Sequence, residues 1–190
     1  MLEIRDLSVF YGDAQALDAV SLEVGAGQVV ALVGANGAGK TSLIRTVAGI
    51  LKPRGGSIRF DGREIGGLDS HRVCDLGVGQ VAEGRQVFPS MSVLENLQVG
   101  ALLPRARAQA AMTLERVFAM FPRLKERAAQ LAGTLSGGEQ QMLTLCRSLL
   151  GNPIVILIDE PTEGLAPQIV AQIRGMLLEI KRRGVTILLV

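Results

Sequence analysis

The sequence predicts a single α/β domain over residues 1–190, a largely parallel sheet with a helical subdomain inserted at roughly residues 90–150. Short, continuous apolar runs of strand length recur at residues 28–33, 154–158 and 185–190, the pattern of strands buried on both faces. Other segments repeat their apolar residues at helical spacing. The stretch from 93 to 130 is rich in Ala, Arg, Leu and Met, all good helix formers.

Taken in chain order, residues 2–9 and 17–24 read as strands around a Tyr11-Gly12-Asp13 turn. Residues 28–33 run into a glycine-rich loop. The helix after it carries Leu43, Ile44, Val47 and Ile50 on one face, with Pro53 beyond its end. Residues 55–62 form a strand bounded by turns, and the helical middle follows. After Ser136, the residues Met142, Leu145, Cys146, Leu149 and Leu150 make one helical stripe. A strand at 154–158, a loop, and a helix with Ile169, Val170, Ile173, Met176, Leu177 and Ile180 on one side lead to the last strand, 185–190.

Composition excludes several function classes. A net charge of +2 supplies no basic field for nucleic acid, and 3% aromatics leave few platforms for stacked bases. Cys74 and Cys146 lie far apart with no second Cys or His nearby, so neither a zinc site nor a disulfide framework is expected, only reduced thiols. The N-terminus has charges at Glu3, Arg5 and Asp6 and no apolar core of a signal peptide. No apolar run is long enough to span a membrane, so a membrane role has to come through a partner.

Three segments carry chemistry. Gly34-Ala35-Asn36-Gly37-Ala38-Gly39-Lys40-Thr41 matches G-x4-G-K-[ST] between a strand and a helix. Glycines let the backbone curl so that its N–H groups face phosphate oxygens, and the helix N-terminus adds partial positive charge. Lys40 is a point charge for the β- and γ-phosphates; the Thr41 hydroxyl, with Ser42 beside it, is placed for Mg²⁺. The bland alternative is a glycine-rich turn before Lys-Thr. Asp159 and Glu160 end an apolar strand, where charges have no place without work to do. Asp159 suits Mg²⁺ held through water, and Glu160 suits the general base for an attacking water; the alternative is a solvated pair at a strand tip. Ser136-Gly137-Gly138-Glu139 opens a helix and reads both as a capping box and as a second phosphate site. One nucleotide does not need two such sites from one chain.

With these motifs in this order, the sequence resembles the nucleotide-binding subunits of ABC transporters over essentially its whole length. The resemblance implies a P-loop NTPase fold, mostly parallel, with an N-terminal antiparallel part. It implies ATP and Mg²⁺ as cofactors, and a head-to-tail homo- or heterodimer in which one subunit's Lys40 loop and the other's Ser136–Glu139 signature enclose ATP. Tyr11 matches the aromatic residue that stacks on adenine, although a turn tyrosine is its default reading. Further implied partners are transmembrane permease subunits and, indirectly, a substrate-binding protein, with the chain peripheral on the cytoplasmic face of the inner membrane.

The finer resemblance is to the ATPase subunits of branched-chain amino-acid importers. Ala82-Glu83-Gly84-Arg85-Gln86-Val87-Phe88-Pro89 looks like their P-E-G-R-x-V-F-P stretch, with Ala82 in place of proline. Glu83 falls where most of the wider family has a glutamine that senses Mg²⁺ and the membrane subunits; a carboxylate there can still ligate the ion, and a solvated loop charge is its alternative. Ala166 replaces the aspartate usual after the carboxylate pair, which puts cross-dimer communication through that position in doubt. The family's switch histidine would follow Val190, and His71, in a polar segment, cannot replace it. The expectation is therefore a chain short of its natural C-terminal end, with apolar surface or a bare strand edge exposed beyond residues 185–190, weak ATPase activity and a tendency to self-associate. Urea, short amides or other amino acids are alternative substrates. Soluble ABC ATPases of DNA repair or translation are the different-class rivals, disfavoured by the absence of sustained heptads and of a second motif set.

Overall fold

The computed structural model describes residues 1–190. In chain order the elements are β1 (Leu2–Tyr11), β2 (Ala14–Val24), β3 (Val29–Ala31), α1 (Lys40–Val47), β4 (Gly55–Phe60), β5 (Arg63–Glu64), α2 (Ser70–Asp75) and β6 (Val78–Val81). Then come α3 (Val93–Gly100), α4 (Pro104–Arg107), α5 (Ala110–Met120), α6 (Pro122–Glu126), a 3-10 turn at Ala132–Thr134, α7 (Gly137–Leu150), β7 (Val155–Ile158), α8 (Pro167–Arg182) and β8 (Thr186–Leu189).

Two four-stranded sheets result. One is antiparallel in the order β2-β1-β4-β5, the other parallel in the order β3-β8-β7-β6. The antiparallel part thus equals the parallel part in strand number. The buried strands lie in the parallel sheet, which explains their unbroken apolar runs. Alternate residues of β7 feed opposite cores. Val155 and Leu157 face a core shared with Ile4, Leu7, Leu43, Ile44 and Val47, between the two sheets. Ile156 and Ile158 face a second core with Leu97, Leu143, Leu145, Cys146, Ile173 and Ile180, under α3, α7 and α8. Each such side chain contributes about 1.5–3 kcal/mol by leaving water.

Several boundaries differ from the sequence reading. The strand expected at 28–33 is β3, three residues long; Leu32 adds one rung by donating to Leu189 O at 2.8 Å, and Val33 is already 95% exposed. Leu43, Ile44 and Val47 are buried as expected, but Ile50 is 52% exposed. The cause is Gly49, which turns the chain at φ 76° where a Cβ would strike Leu68 O at 2.6 Å. α2 forms in a segment that reads as polar. The last strand is not at the margin: β8 lies between β3 and β7, so the sheet edge expected beyond 185–190 belongs to β3 instead. No helix is long and apolar enough to cross a membrane.

Candidate functional site

Between β3 and α1 the chain runs through the glycine loop. Gly37 and Gly39 adopt φ 82° and 87°. Gly39 is also the N-cap of α1, and a Cβ there would meet Ala16 O and Leu17 Cδ2, both at 2.6 Å. No side chain caps α1 and no acid sits in its first turn. Its first amides are therefore unspent, as an anion receptor requires. Lys40 Nζ donates to Gly34 O and Ala35 O, each at 3.0 Å, so the ammonium lies over the carbonyls of its own loop.

The tip of β7 comes in beside this loop. Asp159 is 2% exposed and its Oδ1 accepts from Thr41 Oγ1 at 3.1 Å. Burial pushes its carboxyl above the ordinary range; the Thr41 hydrogen bond opposes this, Glu160 adds to it, and Arg45 and Lys40 offset it. Glu160 has φ 43°, in the left-handed region, and its N–H donates to Val190 O at 3.2 Å. That conformation costs a glutamate about 1–3 kcal/mol, which β8 holds in place.

A cleft of about 480 Å³ opens over these groups, with Tyr11, Lys40, Thr41, Glu83, Glu160 and Glu163 in its walls. Asn36, Gly37, Gly39 and Ser42 line it too. Tyr11, at the end of β1, is 46% exposed, and its hydroxyl lies 3.4 Å from Ser42 Oγ. Nine of the expected residues thus converge, while Gly34 and Ala35 enter through their carbonyls and Asp159 through Thr41. The donor set fits Mg²⁺. Thr41 and the Asp159 carboxylate it touches offer hard oxygens, with Glu83 and Glu160 in the cleft wall but not gathered with Asp159 into a cluster of three acids. A buried carboxylate pushed up in pKa is one that a divalent cation would relieve.

Ser136 and Glu139 lie elsewhere, in a cleft of about 670 Å³ between α6 and α8. The capping box is real. Glu139 N donates to Ser136 Oγ at 3.4 Å, and Ser136 N and Oγ donate to Glu139 Oε2 at 3.0 and 2.7 Å. Burial works to raise the Glu139 pKa, but the Ser136 hydrogen bonds and the charge of Arg127, whose Nε is 3.4 Å away, leave it below the ordinary value.

Sequence reasoning missed Glu163 in the cleft wall; its position three residues after Glu160 was the available signal. It also missed Arg85. This residue takes φ 52°, and its guanidinium lies so close over Gly137 that a Cβ there would meet Cζ at 2.7 Å. The Glu83 loop and the Ser136 helix therefore touch within one chain.

A family model described as ABC transporter matches residues 17–163. The high-affinity branched-chain amino acid transport ATP-binding protein BraG of Pseudomonas aeruginosa is 45% identical over 190 residues, covering 100% of this chain and 81% of that protein. A nucleotide-free ATP-binding cassette from an ABC transporter superposes with a TM-score of 0.86 at 29% identity, over 100% of this chain and 80% of that one. A dimeric ATP-binding cassette bound to ADP and Pi gives 0.84 at 25% identity, over 100% and 87%.

Proposed function

The chain belongs to the ABC transporter family, and from that premise we propose that it binds and hydrolyses ATP to power import of branched-chain amino acids. The observation that carries this reading is the division of the site. One cleft gathers Lys40, Thr41, Glu83 and Glu160, while the Ser136–Glu139 segment stands apart from it. A segment that lines a different cleft from the phosphate loop is available to complete another subunit's, which supports a head-to-tail dimer, on the cytoplasmic face of the membrane against permease subunits, as the working unit. The 45% identity to a branched-chain amino-acid transport protein supports the substrate class.

Within each cleft the chain's groups divide the work. Lys40 leaves the Gly34 and Ala35 carbonyls to neutralise phosphate charge, and the α1 amides donate to the adjacent phosphate oxygens. Thr41, Asp159 and Glu83 would hold Mg²⁺, which supplies charge neutralisation between the β- and γ-phosphates. Glu160 takes a proton from the attacking water. Tyr11 offers its ring to the base. Ser136 and the Gly137–Gly138 amides of the second subunit face the γ-phosphate.

Glu160→Gln tests the reading. It keeps a hydrogen-bonding side chain but removes the base, so the subunit should bind MgATP, elute as a dimer on size exclusion and lose about 10²–10³-fold in turnover. A strain carrying it should stop taking up leucine, isoleucine and valine. A variant that stays monomeric with MgATP and hydrolyses at the parent rate refutes the assignment of Glu160; intact leucine uptake refutes the substrate class.

A further inference from the structure

Beyond the cleft, a half-buried cation, Arg147, bridges two elements without an acidic partner. Arg147 lies on α7 about three turns, or roughly 15 Å, from Ser136. Its guanidinium takes part in none of the ion pairs of the molecule, although burial holds its pKa below the usual arginine range. A charge withdrawn from water without a carboxylate is costly unless every donor is placed with care. Its Nη2 donates to Gln86 O, its Nη1 to Asn96 Oδ1 at 3.4 Å, and its Cζ stands 4.9 Å from the centre of the Phe88 ring.

Asn96, fully buried on α3, continues the fastening. Its Oδ1 accepts from Phe88 N at 2.9 Å, and its Nδ2 donates to Phe88 O, Met91 O and Ser92 O at 3.0, 3.3 and 2.9 Å. Gln86 in turn donates from Nε2 to Glu83 O at 3.3 Å. A continuous set of contacts therefore runs from the signature helix, through Arg147, to the backbone three residues from Glu83, which walls the nucleotide cleft.

We propose that Arg147 is a positioning residue that fastens the Glu83 loop to the signature helix, so that the placement of α7 sets how Glu83 meets the nucleotide-bound cation. The inference rests on the reading of Glu83 as a cation contact. If α7 moves while the loop stays, a half-buried guanidinium loses Gln86 O, Asn96 Oδ1 and the Phe88 ring together, and that penalty favours the two elements travelling as one. Lysine is a poor substitute: the guanidinium presents Nη1 and Nη2 to separate acceptors and a flat face to the Phe88 ring, whereas an ammonium is a single point of charge with no such plane.

The test uses Arg147→Met and Arg147→Lys in the full chain, with Glu83→Ala as reference. Hydrogen exchange without nucleotide should quicken about tenfold or more at the amides of residues 84–88 in both variants, while the β7 and β8 amides keep the parent's protection. The Mg²⁺ concentration for half-maximal nucleotide binding should rise several-fold in both, and binding without Mg²⁺ should hold. If Arg147→Met fails to fold, the lysine variant, which keeps charge and length, decides alone. Unchanged exchange at 84–88 overturns the proposal, and so does faster exchange with an unmoved Mg²⁺ midpoint. Should Glu83→Ala itself leave that midpoint in place, the reading of Glu83 is what fails.

Discussion

Two helix starts in this molecule have the same ingredients and opposite states. α1 and α7 both have glycines at their starts, and both are proposed to face phosphate. Before α1, Gly39 offers no side chain, no acid follows, and the amides are left open. Before α7, Ser136 and Glu139 satisfy each other's donors, and Arg127 braces the carboxylate. The first end is a receptor kept unsatisfied by its own chain, its lysine parked on loop carbonyls. The second is self-sufficient, so a single subunit holds it in shape before any phosphate arrives. An asymmetric pair of ends suits a dimer in which each site is half receptor and half preformed wall.

The largest way to break this comparison is Lys40→Ala. Removing the one side-chain cation of the receptor end should weaken nucleotide binding about 10- to 100-fold by calorimetry and abolish measurable turnover. Parent-like affinity would show that the open amides suffice alone. Ala166→Asp sharpens the comparison by changing a third helix start. α8 begins at Ala166, in extended geometry (φ −64°, ψ 147°), with no side-chain cap. A capping aspartate there should stabilise the chain by about 0.5–2 kcal/mol in chemical denaturation; no gain would mean that Pro167 already fixes that end.

The smallest effect is acidic. Because the folded pKa of Glu139 is lowered, its contribution is present above the unfolded glutamate value of 4.5 and is lost as pH falls through the folded one. Glu139→Gln should flatten that part of the pH–stability profile, by no more than about 1 kcal/mol. An unchanged acid limb would place the lost stability in other carboxylates.

Contiguous features were legible in the sequence. The glycine loop, the Asp159-Glu160 tip and the capping box each occupy a few neighbouring residues, and local chemistry defines them. Features made by distant residues were not. Nothing local marks Arg147 as a partner of Gln86 and Asn96, 61 and 51 residues away. Ile50 fits the helical period of α1 yet is exposed, because Gly49 ends the helix before the period matters. The place of β8 was hidden for the same reason: an apolar run shows that a strand is buried, not which strands it lies between.

That place governs the order in which the protein can become competent. During synthesis the glycine loop emerges well before the carboxylate pair, but β3 and β7 share no ladder; both pair with β8, which follows them in the chain. Until residues 186–189 are free to insert, the phosphate receptor and its carboxylates hang from strands with nothing between them. Val190, whose carbonyl holds Glu160 in its left-handed turn, arrives later still. Such long-range pairing closes slowly. Assembly of the cleft therefore waits on the strand that joins its two halves.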